Sequence, residues 1–215
     1  RELVVGQVDN TDPPSEVVDR LRAYDEDQHW QSLLTACSML IKVHPKSKLL
    51  FNFLGVAQFK EDLLVESEMS FRQAISLDPS MAAAYTNLAN TLKNQGRLHE
   101  ALNSLKKSLE LDPSIKDTYN CLGTVLGGLG QIRDGMRSYE KAIKLDPDFV
   151  SAKYNLAGAK LQCGEFKEGW ELREHRWHRP EFSSLLERFR TPIWKGKKTK
   201  RLFVWGEQGI GDEIM

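Results

Sequence analysis

The sequence predicts an all-α fold, a right-handed solenoid of about five stacked helix-turn-helix repeats, followed by a short C-terminal strand-loop remnant of an α/β domain. Three observations predict it. Pro45, Pro79, Pro113 and Pro147 stand 34 residues apart without slippage. Gly96, Gly130 and Gly164 recur at the same interval. Between these marks the apolar residues return at the spacing of one helical face.

When each proline is counted as position 32 of its unit, Phe51, Tyr85 and Tyr119 fall at position 4 and Leu54, Leu88, Leu122 and Leu156 at position 7. Position 8 is small: Gly55, Ala89, Gly123 and Ala157. Positions 4, 7, 8 and 11 thus stripe a first helix of about 13 residues. Glycine at position 15 stops that helix, because it takes a left-handed backbone without steric cost. The second stripe carries Phe71, Leu105 and Tyr139 at position 24, then Ala74, Ser108 and Ala142 at position 27. Asp-Pro ends the second helix, since the residue before proline avoids the α region. A lone hairpin cannot bury both stripes, so units must stack, and ~3 or more are needed.

The units run 14–45, 48–79, 82–113, 116–147 and 150–179, after an N-terminal segment 1–13. The first keeps Leu21, Tyr24, Trp30, Leu33, Cys37 and Leu40 but has Arg20 where leucine is expected, as suits a terminal repeat with one face in water. The fifth keeps Tyr154, Leu156, Ala157, Gly164 and Phe166, and Trp170, Arg173 and Trp177 are expected to continue its stripe and close the array. This is the tetratricopeptide signature, and the chain resembles that family over residues 14–179.

With positions 4, 7, 8 and 11 in the core, positions 2, 5, 9 and 12 are expected to line the inner surface, where repeat proteins bind. They read Leu49, Asn52, Val56, Phe59; Ala83, Thr86, Asn90, Lys93; Asp117, Asn120, Thr124, Gly127; and Ser151, Tyr154, Gly158, Leu161. The candidate binding residues are Asn52, Phe59, Asn87, Asn90, Lys93, Asn120, Thr124, Tyr154 and Asn155. An asparagine amide both donates and accepts, so it can pair with the backbone of an extended peptide whatever its sequence. The pattern resembles the asparagine ladder of O-linked N-acetylglucosamine transferases; the ladder position is Asn87 and Asn155 in two units but Phe53 and Cys121 in two others. A solvated polar face is the plain alternative. The dicarboxylate clamp of chaperone-binding repeats needs cations at positions 2, 5 and 6, and these units have none there. Gly127, Gly128 and Gly130 cluster at one helix end, where close approach of another backbone and simple fraying are both open.

The period stops at Pro180, and residues 180–200 read as a linker whose basic cluster, Lys195, Lys197, Lys198, Lys200 and Arg201, is a solvated run rather than a nucleic-acid site. His175 and His178 lie near Glu171 at no zinc-motif spacing. Residues 201–215 begin with RLFVW, suited to a buried strand, and continue GEQGIGD, a strand-to-helix glycine loop with Gly206, Gly209, Gly211 and Asp212. Together with GEFKEGWELREHRW and TPIWKG, this resembles bacterial tetratricopeptide proteins fused to a two-Rossmann, heptosyltransferase-like glycosyltransferase domain. The resemblance implies a phosphate- or sugar-facing loop and makes Asp212 the base of the intact transferase. A domain takes ~100 residues or more, so the chain is expected to be a piece that holds only the start of that domain and to be no enzyme by itself.

Thirty basic and thirty acidic residues balance, which removes any global field for nucleic acid or anionic lipid. Apolar runs are too short for a membrane span and the start lacks a secretory pattern, so a cytoplasmic protein is expected. Cys37, Cys121 and Cys163 are odd in number and far apart, suiting reduced thiols rather than disulfides or zinc, and no cofactor or metal is expected. The reading is a scaffold that binds a protein or extended peptide in its groove. Its alternatives are the acceptor-recruiting region of a sugar transferase, and self-association through the C-terminal segment.

Overall fold

Ten α-helices occupy residues 11–175, the part of the chain described by the computed structural model. They form five hairpins: α1 (Ser15–Glu26) with α2 (Trp30–Leu40), α3 (Lys48–Lys60) with α4 (Leu64–Leu77), and α5 (Ala82–Asn94) with α6 (Leu98–Leu111). The fourth joins α7 (Lys116–Gly128) to α8 (Ile132–Leu145), and the fifth joins α9 (Val150–Gln162) to α10 (Phe166–Arg173). The expected linker at 180–200 and strand and loop at 201–215 lie outside the described residues.

Both kinds of turn follow from local chemistry. Position 15 is left-handed in all five hairpins, with φ of 78° at Gly96, 79° at Gly130 and 80° at Gly164, but also 59° at Gln28 and 61° at Asp62. The amide one residue on reaches back five residues each time, as Arg97 to the Leu92 carbonyl at 2.9 Å and Leu63 to Gln58 at 2.8 Å. That bond is the Schellman closure of a helix end. At the other turn Asp78, Asp112 and Asp146 are extended, with φ of −141°, −147° and −139°, as the following proline requires. Their carboxylates take the backbone amides of Ser80, Ser114 and Asp148. Lys48 and Lys116, the first residues of α3 and α7, also bond Asp78 and Asp146. These contacts hold both carboxyls below the usual range, the lysine bond contributing most, and Asp78 reaches about 2.

Consecutive helices pack along the whole described chain, and the odd-numbered helices also touch one another, α1 with α3, α3 with α5, α5 with α7 and α7 with α9. No two even-numbered helices meet among the described residues. The array is therefore tighter on the odd-helix side, which is its concave face.

The core stripe of the first helices differs from the expected one. Position 3 is buried as Leu50, Ala84, Thr118 and Ala152, and position 10 as Ala57, Thr91 and Val125. Position 4, expected in the core, is only half-buried at Phe51, Tyr85 and Tyr119. The reason is that each odd helix contacts its own partner, the preceding even helix and the neighbouring odd helices. A wider face is covered than a single hairpin would cover, and small side chains fill it.

Small and large residues are matched across each hairpin. Gly55 lies under the Phe71 ring and Gly123 under the Tyr139 ring, so close that an added Cβ would stand 2.7 Å and 2.4 Å from ring carbons. In the third unit the same two positions are Ala89 and Leu105, both fully buried in one cluster with Phe71 and Leu92. At the C-terminal end, Trp177 of the expected closure lies outside the described residues, and α10 is only partly covered. Phe166 is 62% exposed and Trp170 40% exposed, and Gly169 is the buried residue of α10, pressed against Leu161.

Candidate peptide-binding groove

All nine candidate binding residues lie on the odd helices, Asn52 and Phe59 on α3, Asn87, Asn90 and Lys93 on α5, Asn120 and Thr124 on α7, and Tyr154 and Asn155 on α9. Each is half-buried, neither sealed in the core nor fully in water. Gly206, Gly209, Gly211 and Asp212 lie outside the described residues.

The asparagines are paired between units. Asn87 Nδ2 donates to Asn52 Oδ1 at 3.1 Å, and Asn155 Nδ2 donates to Asn120 Oδ1 at 2.9 Å. The sequence placed Asn52 and Asn120 at position 5 and Asn87 and Asn155 at position 6. Stacking brings position 5 of one unit against position 6 of the next. Each pair still has donor and acceptor capacity beyond its mutual bond. Asn90 Oδ1 accepts from Lys93 Nζ at 3.2 Å, which ties that lysine to the groove wall.

Between the two asparagine pairs the pattern breaks. Thr86 was expected on the groove, yet it is 3% exposed. Its hydroxyl shares hydrogen bonds with Ser108 at 2.8 Å and Thr118 at 2.7 Å, so it belongs to the interface between the third and fourth units. Cys121 follows at the ladder position and is buried, which pushes its thiol up to about 11. Ser67 and Thr91 make a similar buried hydroxyl pair at 3.1 Å, backed by the Gly55 and Asn87 carbonyls. Such groups are tolerated because every polar atom has a partner.

Toward the C-terminal end the groove deepens into a depression of about 460 Å³, floored by Gly123, Gly127 and Gly158 and walled by Tyr139, Tyr154 and Asn155. Thr124 accepts the Tyr139 hydroxyl at 3.1 Å and donates to the Asn120 carbonyl at 3.2 Å. Burial raises the Tyr139 phenol, so it stays protonated as that donor. Arg173 closes the depression from α10, its guanidinium 5.4 Å from the Tyr154 ring and 5.7 Å from the Trp170 ring. Sequence reasoning gave Tyr139 and Arg173 only packing roles and left out Gln162, which also lines the site. A tyrosine at position 24 where a neighbouring unit has leucine was the available signal.

Residues 80–146 match the family model of the tetratricopeptide repeat. No curated protein sequence matches the chain significantly. The fold is similar to TTC0263, a thermophilic TPR protein of Thermus thermophilus, at TM-score 0.70 and 18% identity, over 81% of this chain and 95% of that one. It is similar to MamA at TM-score 0.60 and 20% identity, over 79% and 97% of the two chains. It is also similar to YrrB, a TPR protein with an unusual peptide-binding site, at TM-score 0.55 and 12% identity, over 80% and 91%. The described chain is thus an all-α solenoid with a fold like that of these proteins, and its residues 80–146 match the tetratricopeptide repeat. Among the described residues no helix is long and apolar enough to cross a membrane, and no group of three or more His, Cys, Asp or Glu is placed to hold a metal ion.

Proposed function

We propose that this tetratricopeptide solenoid is a non-enzymatic, cytoplasmic scaffold that binds an extended peptide segment of a partner protein along its concave face. One observation carries the reading: the two asparagine pairs, Asn52–Asn87 and Asn120–Asn155, recur on the odd-helix face with spare hydrogen-bonding capacity. Helices pack ~8 to 10 Å apart, so two unit steps separate the pairs by roughly 20 Å. An extended chain covers that in about six residues. A partner would thus be held by its backbone at two places six or so residues apart, with side chains between them facing Lys93 and Thr124.

The test is selection of peptides from a random display library on the full chain, followed by binding to a variant with Asn87, Asn90, Asn120 and Asn155 changed to alanine. Each lost hydrogen bond is worth about 0.5 to 1.5 kcal/mol, so affinity should fall tenfold or more while the circular dichroism spectrum is unchanged. Equal binding by the folded variant would move the site to the convex face or the array ends.

A transferase reading rests on the sequence of residues 201–215. It expects a longer parent chain to bind a nucleotide sugar and to lose turnover on Asp212→Asn; a parent chain that binds no sugar donor removes it.

A further inference from the structure

We propose that the N-terminal half of the groove selects the order of side chains on the bound peptide, matching a basic, an apolar and an acidic residue to Asp25, Phe59 and Lys93. The inference rests on the groove reading and adds the chemistry of the segment that the groove accepts. Asp25, Phe59 and Lys93 stand 34 residues apart, each at position 12 of its unit. They lie in the last turn of α1, α3 and α5, odd helices of which each touches the next. Stacking therefore lays an acid, an aromatic ring and a base in one row across the concave face, with helix axes ~8 to 10 Å apart. All three residues are half-buried.

Among the described residues, neither charge of the row is held in an ion pair. Lys93 Nζ donates to the neutral Asn90 amide oxygen at 3.2 Å. Lys60 attracts the Asp25 carboxylate from α3, but the Lys60 ammonium is turned to the Trp30 ring, 5.2 Å from its centre. Burial outweighs that attraction and holds the Asp25 carboxyl above the usual carboxylate range. A half-buried charge in this condition gains from a counter-charge that a ligand brings. Phe59 stands between the two, with Val56 one turn before it, where the third unit has Asn90 and Lys93. The row also sets the spacing on the peptide. A polyproline II chain has three residues per turn and rises ~3.1 Å per residue, so residues i, i+3 and i+6 share one side at steps of ~9 Å. One unit of the solenoid thus corresponds to three peptide residues. Asn52 and Asn87 precede Phe59 and Lys93 by about two helical turns on the same helices, ~10 Å along the axis. A backbone held by that asparagine pair reaches the row with long side chains.

The experiment selects peptides about twelve residues long on the full chain from a random display library. The expected outcome is a base and an acid about six residues apart, with an apolar residue midway and one order throughout. Lys93→Asp should weaken the leading peptide roughly tenfold or more, and the same peptide carrying Lys in place of its acid should recover the loss. Asp25→Lys should likewise be recovered by a peptide carrying Glu in place of its base. Recovery by the reversed peptide follows the pairing and not the fold, which circular dichroism of each variant checks. Should a reversed variant fail to fold, Lys93→Gln and Asp25→Asn take its place and should each erase the preference for charge at one peptide position. Peptides that depend on the four asparagines but carry no such order, or variants that fold and show neither recovery nor loss of preference, would overturn the row and leave the groove reading intact. Peptides indifferent to the asparagines as well, or no enriched peptide, would overturn both.

Discussion

Gly55→Ala should destabilise the protein although alanine is the better helix former, and Phe71→Leu should rescue it. The added Cβ would lie 2.7, 2.8 and 2.9 Å from three carbons of the Phe71 ring, against an ordinary contact of about 3.5 to 4.0 Å. Phe71 is 1% exposed and cannot swing into solvent. Overpacking of this kind costs about 1 to 3 kcal/mol, and the gain in helix propensity returns about 1 kcal/mol, so a net loss of roughly 1 kcal/mol is expected. Phe71→Leu alone leaves a void and costs about 1 to 2 kcal/mol. The double variant recreates the Ala89 and Leu105 arrangement of the third unit, so it should be nearly as stable as the parent, with a coupling of about 1 to 3 kcal/mol. Urea denaturation followed by far-UV circular dichroism measures all four proteins of the cycle. Additivity within about 0.5 kcal/mol would refute the idea that these two positions are matched by volume. Gly158→Ala is the control: with nothing within 4 Å of its Cβ, it should stabilise by about 0.5 to 1 kcal/mol.

Three further outcomes are expected. Thr86→Val keeps shape but removes a hydroxyl that Ser108 and Thr118 both bond, leaving them the Ala82 carbonyl and their mutual contact at 3.3 Å, and should cost about 0.5 to 1.5 kcal/mol; Thr86→Ser should restore most of it, and a neutral Thr86→Val in the same denaturation assay would dissolve the network argument. Burial pushes the Cys37 thiol up to about 12 and Cys121 to about 11, whereas Cys163 is half-buried, so iodoacetamide at neutral pH should modify Cys163 first and the other two only on unfolding, as read by peptide mass spectrometry. Asp78 is held down to about 2 by Lys48 and Ser80, below the ~3.9 of an unfolded aspartate. Its contribution is complete above pH ~4 and disappears as pH falls toward 2. Asp78→Asn should therefore flatten the acid limb of the stability profile, and an unchanged limb would show that the bond with Lys48 is not felt.

Much of the fold was legible because it is written in conformationally restrictive residues. Asp-Pro allows one backbone at positions 78, 112 and 146, and glycine at 96, 130 and 164 marks a left-handed turn. Gln28 and Asp62 adopt the same left-handed state without any glycine to announce it. There the closure of the hairpin overrides local preference. The core register was less legible, because positions 3 and 10 hold Ala and Thr as well as Leu and Val, and small or hydroxylic residues give no apolar signal. Thr86 shows the same difficulty from the other side: one polar residue on a helix reads as groove until its partners from two other helices are placed. The pairing of Asn52 with Asn87 also depends on how far one unit advances over the next, which spacing within a unit cannot give.

From the second unit to the fifth, an asparagine pair stands at every other junction, second-third and fourth-fifth, and the hydroxyl trio of Thr86, Ser108 and Thr118 lies at the junction between them. That alternation sets the increment in which such a chain can change length. Excising the third unit alone would bring Asn52 opposite Cys121 and set the buried Thr118 hydroxyl beside Ala74, where both of its hydroxyl partners are missing. Removing the third and fourth units together would instead set Asn52 opposite Asn155, position 5 against position 6 as at the existing asparagine junctions. Between the second and fifth units the increment that keeps the asparagine pairing is thus the double hairpin, and loss of the third repeat alone would leave a seam that further substitutions must repair.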